Sequence, residues 1–402
     1  MASRIRLAAG LDPGSNFTRC VICTVEDGRI RFLGAGSVES RGWAKSRIAD
    51  PHAMSESVRM AAREAERNAQ ISVDAVVLGM GGSAIEGSNS RGIYEFGHPC
   101  EIEDSDMGYA VERACRVRLE DDRMLLQVFP QDFTVDGRSG FRNPRGAKAS
   151  RLEANVHVVT TSSQDHDSLV NAVHQAHLSV EETIFEGMAA AYASIVPEER
   201  RGGVALIDIG AQSTDLIIYD GDAVACATSL PVSGDHFTRD VAYGLTVNYE
   251  DARNIKEQYG CAIVGMTADN TLIEVPSPDG RPAREATRRQ LNHILEARAE
   301  ELFSYVLVAF RCSGMEGNLH EGVVLAGGGA LLNGMLDIAE RELNCLAKNG
   351  LAVGIQDWPE ELDNPAWTTA AGLAMYSARL KQRREAKKRT PGFMSLVMRS
   401  WF

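Results

Sequence analysis

The alternation of apolar and polar positions repeats one unit in the two halves of the chain. In each half a short apolar run ends in Asp-x-Gly, a tight polar turn follows, and a second apolar run returns. The first unit carries Asp12 and Gly14, and the second carries Asp208 and Gly210. Uninterrupted apolar runs of this length are typical of buried strands. The pattern therefore predicts two β-hairpins, each opening an α/β half.

A third element of this kind occurs late in the chain. The apolar run 322–326 is followed by Gly327, Gly328 and Gly329, and residues 330–343 then show helical periodicity. A strand, a glycine turn and a helix in this order let a phosphate or a flat ring approach the backbone. The sequence contains no G-x-x-x-x-G-K-[ST] motif, which excludes a P-loop as the source of nucleotide binding.

The two Asp-x-Gly turns have the residue types that bind a nucleotide with its metal ion. Gly14 and Gly210 allow the backbone to pass close to a ligand, and successive N–H groups of such turns bind phosphate oxygens. Asp12 and Asp208, at strand ends, can hold a hydrated Mg²⁺. One such turn is weak evidence, because Asp-x-Gly also occurs in ordinary hairpins. Two turns, each opening an α/β half, are stronger evidence.

A dinucleotide-binding motif is a competing interpretation of one segment. Residues 79–84 fit G-x-G-x-x-A after an apolar run at 73–78. The residues that follow, 85–92, are polar and turn-rich, whereas the motif requires an amphipathic helix there. The sequence therefore argues against this interpretation.

The last residues of the chain have a different pattern from the rest. On a helix, the segment 391–402 places its large apolar side chains on one broad face, and Ser395 and Arg399 lie opposite. The residues predicted to contact a membrane are Phe393, Met394, Leu396, Val397, Trp401 and Phe402. A short apolar face after a basic run is typical of a helix that lies in the headgroup plane of a bilayer, and it is too short to span one. The alternative is a helix docked on the protein's own core.

The net charge and the cysteine content indicate which partners and which cellular compartment the protein fits. The net charge is −13, but residues 379–402 carry +7, which leaves −20 on residues 1–378. An acidic body of this kind is a poor binder of nucleic acid. We expect no secretory signal, and eight scattered cysteines fit a reducing compartment. The Cys20-x-x-Cys23 pair falls in a predicted strand, and His174 and His177 lack a third ligand, so neither pair predicts a metal site.

Several motifs together resemble the FtsA family of bacterial actin-like cell division proteins. They are the two Asp-x-Gly hairpins, the late glycine turn, residues 34–42, Phe129–Phe133, Asn143–Gly146, Arg151–Thr160, Val275–Pro282 and the terminal amphipathic segment. The resemblance implies an α/β protein with a duplicated actin-like (ribonuclease H-like) nucleotide-binding fold, an inserted small α+β domain and a C-terminal amphipathic helix.

The resemblance also implies a division of the chain. The first lobe would comprise residues 1–83 and 161–200 and receive 358–380, with the inserted domain at 84–160. The second lobe would comprise 201–357, with a small subdomain at about 235–300. A basic linker at 381–390 would lead to the membrane-targeting helix at 391–402.

Carried over to this chain, the resemblance implies a site for ATP and Mg²⁺. Asp12 and Asp208 would face the metal, and Glu186 and Asp208 would be the catalytic residues. The other residues implied to bind the nucleotide are Gly14, Ser15, Asn16, Phe17, Arg19, Gly210, Ala211, Gln212, Ser213, Thr214, Asp215, Lys256, Gly327, Gly328 and Gly329. Glu186 could orient water against the γ-phosphate, which would permit weak ATP hydrolysis, or it could cap the helix 187–194.

The function implied by the resemblance is that of an ATP-binding protein that polymerises and anchors FtsZ filaments to the cytoplasmic face of the cell membrane at the division septum. Its implied partners are the C-terminal peptide of FtsZ, further copies of itself, later divisome membrane proteins and the anionic membrane surface. Two alternatives stay open: an FtsA-like pilus-assembly protein, and a small-molecule kinase of the same superfamily.

Overall fold

A computed structural model describes residues 6–26, 28–268, 271–277 and 282–389. The helices are α1 (Pro51–Ala69), α2 (Asp104–Ala114), α3 (Ser163–Gln175), α4 (Glu186–Ser194), α5 (Pro197–Arg201), α6 (Gly234–Gly244), α7 (Tyr249–Tyr259), α8 (Arg288–Cys312), α9 (Met335–Leu343) and α10 (Thr368–Arg389). The strands are β1 (Arg6–Pro13), β2 (Phe17–Glu26), β3 (Arg29–Glu39), β4 (Trp43–Ala44), β5 (Arg47–Ile48), β6 (Ala75–Met80), β7 (Glu86–Glu101), β8 (Arg123–Val135), β9 (Arg138–Phe141), β10 (Lys148–Ser162), β11 (Ser179–Phe185), β12 (Val204–Ile209), β13 (Thr214–Asp220), β14 (Ala223–Leu230), β15 (Leu272–Val275), β16 (Arg284–Thr287), β17 (Val323–Ala326), β18 (Ala347–Asn349) and β19 (Ile355–Gln356).

Two sheets contain the same arrangement of strands. In the first lobe β1 pairs with β2 in antiparallel and with β6 in parallel, within the order β11-β6-β1-β2-β3-β19. In the second lobe β12 pairs with β13 in antiparallel and with β17 in parallel, within the order β14-β13-β12-β17-β18. Each sheet thus has a hairpin meander at one side and a parallel neighbour at the other. This confirms the duplicated α/β fold that the repeated pattern predicts.

The two sheets share one apolar core, and each sheet packs on a further core of its own. The first-lobe sheet packs α1 on one face and α4 and α10 on the other. Helix α1 begins where Asp50 accepts hydrogen bonds from the backbone N–H groups of His52 and Ala53, with Pro51 in the first turn. The second-lobe sheet packs against the long helix α8, which starts at a capping box formed by Thr287 and Gln290. These cores fix the strand ends that carry Asp12 and Asp208.

A third sheet, with order β7-β10-β8-β9, forms a separate layer with α2. Its first strand, β7, occupies the segment that the sequence pattern suggests is turn-rich, and that prediction is wrong. The exposure of β7 explains the error, because most of its residues are exposed or only half-buried and the strand lacks an apolar run. Gly92 lies under α2, where an added Cβ would come within 2.0 Å of Ala110 O, so the strand depends on a tertiary contact.

The cysteine and histidine pairs are structural. Cys20 and Cys23 are buried free thiols on opposite faces of β2, and burial raises the pKa of each to about 12. His177 lies beyond the end of α3 in a left-handed conformation, so it does not share a helix face with His174. Within the described residues, no group of three or more His, Cys, Asp or Glu side chains is arranged as a complete metal site.

The C-terminal helix α10 packs along the first lobe and continues through the basic residues 381–389, the segment that the sequence suggests is a linker. Near its end, Lys381 and Arg384 both pair with Glu181. None of the helices in the described part of the chain has the length and apolar character needed to cross a bilayer. The predicted membrane-contacting residues 393–402 lie outside the described residues.

Candidate nucleotide site

Both Asp-x-Gly turns fold tightly at the ends of paired strands. An added Cβ at Gly14 would lie 2.7 Å from Phe17 O, so only glycine fits this turn as built. In the second turn the N–H of Gly210 donates to Ser213 O at 2.9 Å. The two turns thereby place the carboxylates of Asp12 and Asp208 toward one cleft between the lobes.

The late glycine turn closes the same cleft. Gly327 has φ +80°, and an added Cβ there would lie 2.3 Å from Asp208 Oδ1. Its N–H donates to Pro365 O at 2.9 Å. The predicted helix over residues 330–343 begins only at Met335, because Gly334 is left-handed and a short 3₁₀ turn precedes it. The turn is therefore longer than the sequence predicts and leaves an open backbone surface beside Asp208.

The cleft has a volume of about 800 Å³. Its lining includes all but one of the predicted nucleotide and metal residues: Asp12, Gly14, Ser15, Asn16, Phe17, Arg19, Glu186, Asp208, Gly210, Ala211, Gln212, Ser213, Asp215, Lys256, Gly327, Gly328 and Gly329. Thr214 is the exception. It is fully buried in the sheet and its hydroxyl donates to Val232 O at 2.6 Å, so it does not reach the cleft.

Four carboxyl groups face one another in the cleft without enough cations to balance them. Burial raises the pKa of Asp12 to about 7, and the charge of Asp208 adds to the effect, although Arg19 and the Gly14 N–H oppose it. Burial also raises the pKa of Asp208, and it raises that of Asp215 well above its ordinary range with help from Asp208. The Oδ1 atom of Asp215 is buried without a hydrogen-bond partner. This region therefore lacks positive charge.

Glu186 is the fourth carboxyl group, and it does not cap its helix. Helix α4 begins at Glu186 after Phe185, and no side-chain hydrogen bond caps its first turn. The carboxylate lies instead against the turn after β6, where an added Cβ at Gly81 would be 2.1 Å from Glu186 Oε2 and 2.7 Å from Asp215 Oδ2. Burial, followed by the charges of Asp12, Asp215 and Asp208, raises the pKa of Glu186 well above its ordinary value.

Two basic side chains, Arg19 and Lys256, also line the cleft, and Arg19 lies close enough to Asp12 and Asp208 for their charges to raise its pKa. The Arg19 guanidinium stacks near the rings of Phe17 and Trp367, with centroid distances of 5.2 and 5.4 Å, and its Nε is buried without a partner. The Lys256 ammonium donates to Thr238 Oγ1 at 2.8 Å and to Gly234 O at 3.3 Å. Burial lowers the pKa of both cations.

Arg253 lies beside these cations and pairs with Glu257 at 3.0 Å. The arginine also lies 5.9 Å from the centroid of the Phe17 ring, so it covers the first turn from the second lobe.

Three contributors to the cleft were missed by the sequence analysis. Gly81 belongs to the segment considered for a dinucleotide motif, and it lies where the parallel strand β6 ends. Thr369 donates from α10 to Asp208 Oδ2 at 2.5 Å. The N–H of Ser46, at the tip of the β4–β5 hairpin, donates to Gln212 Oε1 at 2.7 Å. Only the strand–glycine pattern at Gly81 was a usable signal, because the other two contacts join distant residues.

The residues present fit a nucleotide with Mg²⁺. Magnesium is usually bound by one or two carboxylates together with substrate phosphates and several waters, which requires no complete protein cage. Asp12 and Asp208 supply such carboxylates, and the unpartnered Asp215 Oδ1 is an orphaned buried acceptor beside them. The glycine turns supply close backbone approach for phosphates.

Comparison with known proteins agrees with this geometry. The family model described as cell division protein FtsA matches residues 205–372, and the model described as SHS2 domain inserted in FTSA matches residues 82–160. Cell division protein FtsA of Pseudomonas aeruginosa is 31% identical over 372 residues, covering 92% of this chain and 89% of that protein. The chain belongs to the FtsA family.

Other FtsA proteins align over almost the whole length. FtsA of Escherichia coli K12 is 30% identical and covers 96% of this chain and 94% of its own length. FtsA of Borreliella burgdorferi is also 30% identical, with 98% of both chains covered. Membership of the FtsA family identifies the chain as an actin-like cell division protein, as the motifs predict.

Solved structures support the fold. The PilM–PilN complex of type IV pilus biogenesis matches with a TM-score of 0.67 and 18% identity, covering 92% of this chain and 98% of that chain. MreB5 of Spiroplasma citri bound to AMPPNP matches with a TM-score of 0.56 and 13% identity, covering 95% and 98%. At these identities the likeness shows the fold alone, which is actin-like.

Proposed function

We propose that this FtsA-family chain binds ATP with Mg²⁺ in the cleft between its lobes. The observation that carries the proposal is the convergence of two Asp-x-Gly turns and the Gly327–Gly329 turn on one cavity of about 800 Å³. The carboxylate side would hold Mg²⁺ through Asp12 and Asp208, and Arg19 and Lys256 would offset phosphate charge. Bound Mg²⁺ supplies the positive charge that the carboxyl groups lack and neutralises phosphate oxygens.

Hydrolysis, where it occurs, would depend on Glu186. Its carboxylate faces the carboxyl cluster across Gly81 and can accept a hydrogen bond from water. Positioning of the attacking water is the main requirement in phosphoryl transfer, and the Glu186 carboxylate would serve it. We expect slow turnover, consistent with a protein whose nucleotide state controls assembly.

The membrane role rests on the terminal segment. Helix α10 ends in a basic run at Arg389, and the sequence of residues 391–402 would present one apolar face if it formed a helix. Each basic residue near anionic lipid contributes about 1 kcal/mol, so one copy attaches reversibly. Self-association into filaments presents many such segments together, and effective concentration then makes attachment firm.

The whole protein would therefore link FtsZ filaments to the cytoplasmic face of the cell membrane at the division septum. The C-terminal peptide of FtsZ would be bound in the small subdomain at about 235–300, and the inserted domain would contact a neighbouring copy and later divisome proteins. The family assignment and the basic, apolar C-terminus support this role.

The test is recruitment of labelled FtsZ filaments to a supported bilayer that contains anionic lipid. With Mg-ATP and the full chain, we expect filaments at the bilayer surface. Trp401→Glu, or removal of residues 391–402, should abolish recruitment while FtsZ still co-pellets with the protein in solution. Recruitment that persists without residues 391–402 would contradict the membrane role, and absence of co-pelleting would contradict the FtsZ role.

A further inference from the structure

One hydrogen bond in the floor of the cleft joins the two lobes. Thr369, in the first turn of α10, donates its hydroxyl to Asp208 Oδ2 at 2.5 Å. Helix α10 packs on the first-lobe sheet, whereas Asp208 ends a strand of the second-lobe sheet. Both side chains are at least nine-tenths buried, and both line the cleft. A metal-facing carboxylate of one lobe is thus held by a hydroxyl of the other.

The two aspartates differ in how they are oriented. The Gly14 N–H, two residues along in the same turn, lowers the pKa of the Asp12 carboxyl. For the Asp208 carboxyl, the hydrogen bond that lowers the pKa comes from Thr369, outside its turn. The Oδ1 atom of Asp208 lies beside the Gly327 backbone, and its Oδ2 accepts from Thr369. The plane of the Asp208 carboxylate therefore depends on α10.

Thr369 is itself firmly placed. An added Cβ at Gly10 would lie 2.3 Å from Ala374 N, and one at Gly372 would lie 1.8 Å from Ala189 O, so α10 contacts β1 and α4 backbone to backbone. The neighbouring Thr368 hydroxyl donates to Gly350 O. The body of α10 therefore follows the first lobe, whereas its first turn bonds to the second lobe through Gly350 and Asp208.

We propose that Thr369 is a positioning residue that orients Asp208 toward the divalent cation of the bound nucleotide. This inference rests on the proposed binding of Mg-ATP. A hydroxyl donor fixes the carboxylate by one lone pair of Oδ2 and leaves the remaining lone pairs for a cation or its waters. Because the donor belongs to the other lobe, the cation site is complete only when the lobes adopt the spacing seen here.

Four variants of the full-length chain test the role of Thr369. Thr369→Ala removes the hydroxyl, Thr369→Ser keeps it, and Thr369→Val keeps the shape without the donor. Thr368→Val is the matched control, because it removes a buried hydroxyl from the same turn that contacts a carbonyl oxygen instead of a carboxylate. ATP affinity is measured by calorimetry for each variant, once with Mg²⁺ and once with EDTA.

Loss of an outer partner of a metal ligand typically weakens metal affinity by about 10–100-fold. We therefore expect Thr369→Val and Thr369→Ala to lose roughly tenfold in ATP affinity with Mg²⁺ and little in EDTA. Thr369→Ser should restore the magnesium effect, and Thr368→Val should lower the melting temperature without altering that effect.

The outcomes separate this inference from the function on which it rests. If the wild-type chain gains affinity from Mg²⁺ and Thr369→Ala gains equally, the positioning role is overturned while ATP binding stands. If all variants lose affinity equally with Mg²⁺ and with EDTA, Thr369 is only structural and the inference also fails. If the wild-type chain binds no ATP under either condition, both proposals fail.

Discussion

At the scale of single residues, the carboxyl cluster determines how the protein responds to pH. Asp12 has a pKa of about 7, mainly because burial penalises its ionised form. In the unfolded chain an aspartate ionises near its ordinary value of about 4. Between these two values the unfolded state loses its proton while the folded state keeps it. Asp12 thus contributes stability that is present at low pH and is lost as pH rises toward about 7.

Replacing Asp12 by Asn should therefore stabilise the ligand-free protein at about pH 8 and have little effect at about pH 4. We expect a gain on the order of 1 kcal/mol or more at the higher pH, since one unit of pKa shift corresponds to about 1.4 kcal/mol. Urea unfolding of both proteins across this range measures the difference. Asp74→Asn, at an exposed carboxylate, is the control. A difference between wild type and Asp12→Asn that does not change with pH would contradict the burial argument.

Glu186 gives a second prediction at this scale. Glu186→Gln keeps the shape of the side chain but removes the proton acceptor, so phosphate release from ATP should fall by about 100-fold or more. ATP binding should be unchanged, because Gln keeps the size and shape of the side chain. Phosphate release and calorimetry measure the two effects. Hydrolysis at the wild-type rate in Glu186→Gln would exclude the catalytic role.

At the scale of elements, the glycine turn after β17 offers a matched pair of variants. An added Cβ at Gly327 would strike Asp208 Oδ1 and would sit at φ +80°, whereas one at Gly328 would meet nothing within 4 Å. Gly327→Ala should destabilise the protein by about 1–3 kcal/mol and weaken ATP binding. Gly328→Ala should be close to neutral in urea unfolding of the ligand-free protein. Equal effects of the two changes would show that the close approach at Gly327 is unimportant.

The elements also show what a sequence pattern can predict. The paired hairpins and the strand before Gly327 were predictable because their apolar runs and glycines are local signals. Strand β7 was not predictable, because it is mostly exposed, pairs with β10 and packs against α2. His157 belongs to one of the segments that resemble the FtsA family. Its Nε2 accepts a hydrogen bond from Ala227 N at 2.9 Å and so joins the inserted sheet to the second lobe.

The residues of the candidate site also divide into those that the sequence could predict and those that it could not. Residues within the turns, such as Asp12 and Gly210, could be named from spacing and family resemblance. Thr214 was assigned to the cleft by position in its turn, but the alternation of side chains along β13 directs it into the sheet. Thr369 could not be found, since its role depends on a contact with Asp208 across 161 residues of chain.

At the scale of the whole molecule, polar contacts join the two lobes at the cleft, in addition to the apolar core that the two sheets share. Thr369 holds Asp208 at the floor, and Ser46 holds Gln212 at the hairpin tip. Helix α10 starts at this floor and ends at Arg389, beside the segment proposed to bind the membrane. One end of α10 therefore lines the cleft proposed to bind nucleotide, and its other end precedes in sequence the segment proposed to bind the membrane.

The central claim is that Mg-ATP occupies the cleft between the lobes. The most direct measurement is a calorimetric titration of the purified full-length chain with ATP in the presence of Mg²⁺, together with its melting temperature. We expect saturable binding of one nucleotide per chain and a rise in melting temperature, both reduced by Asp208→Asn. Absence of binding heat and an unchanged melting temperature would contradict it.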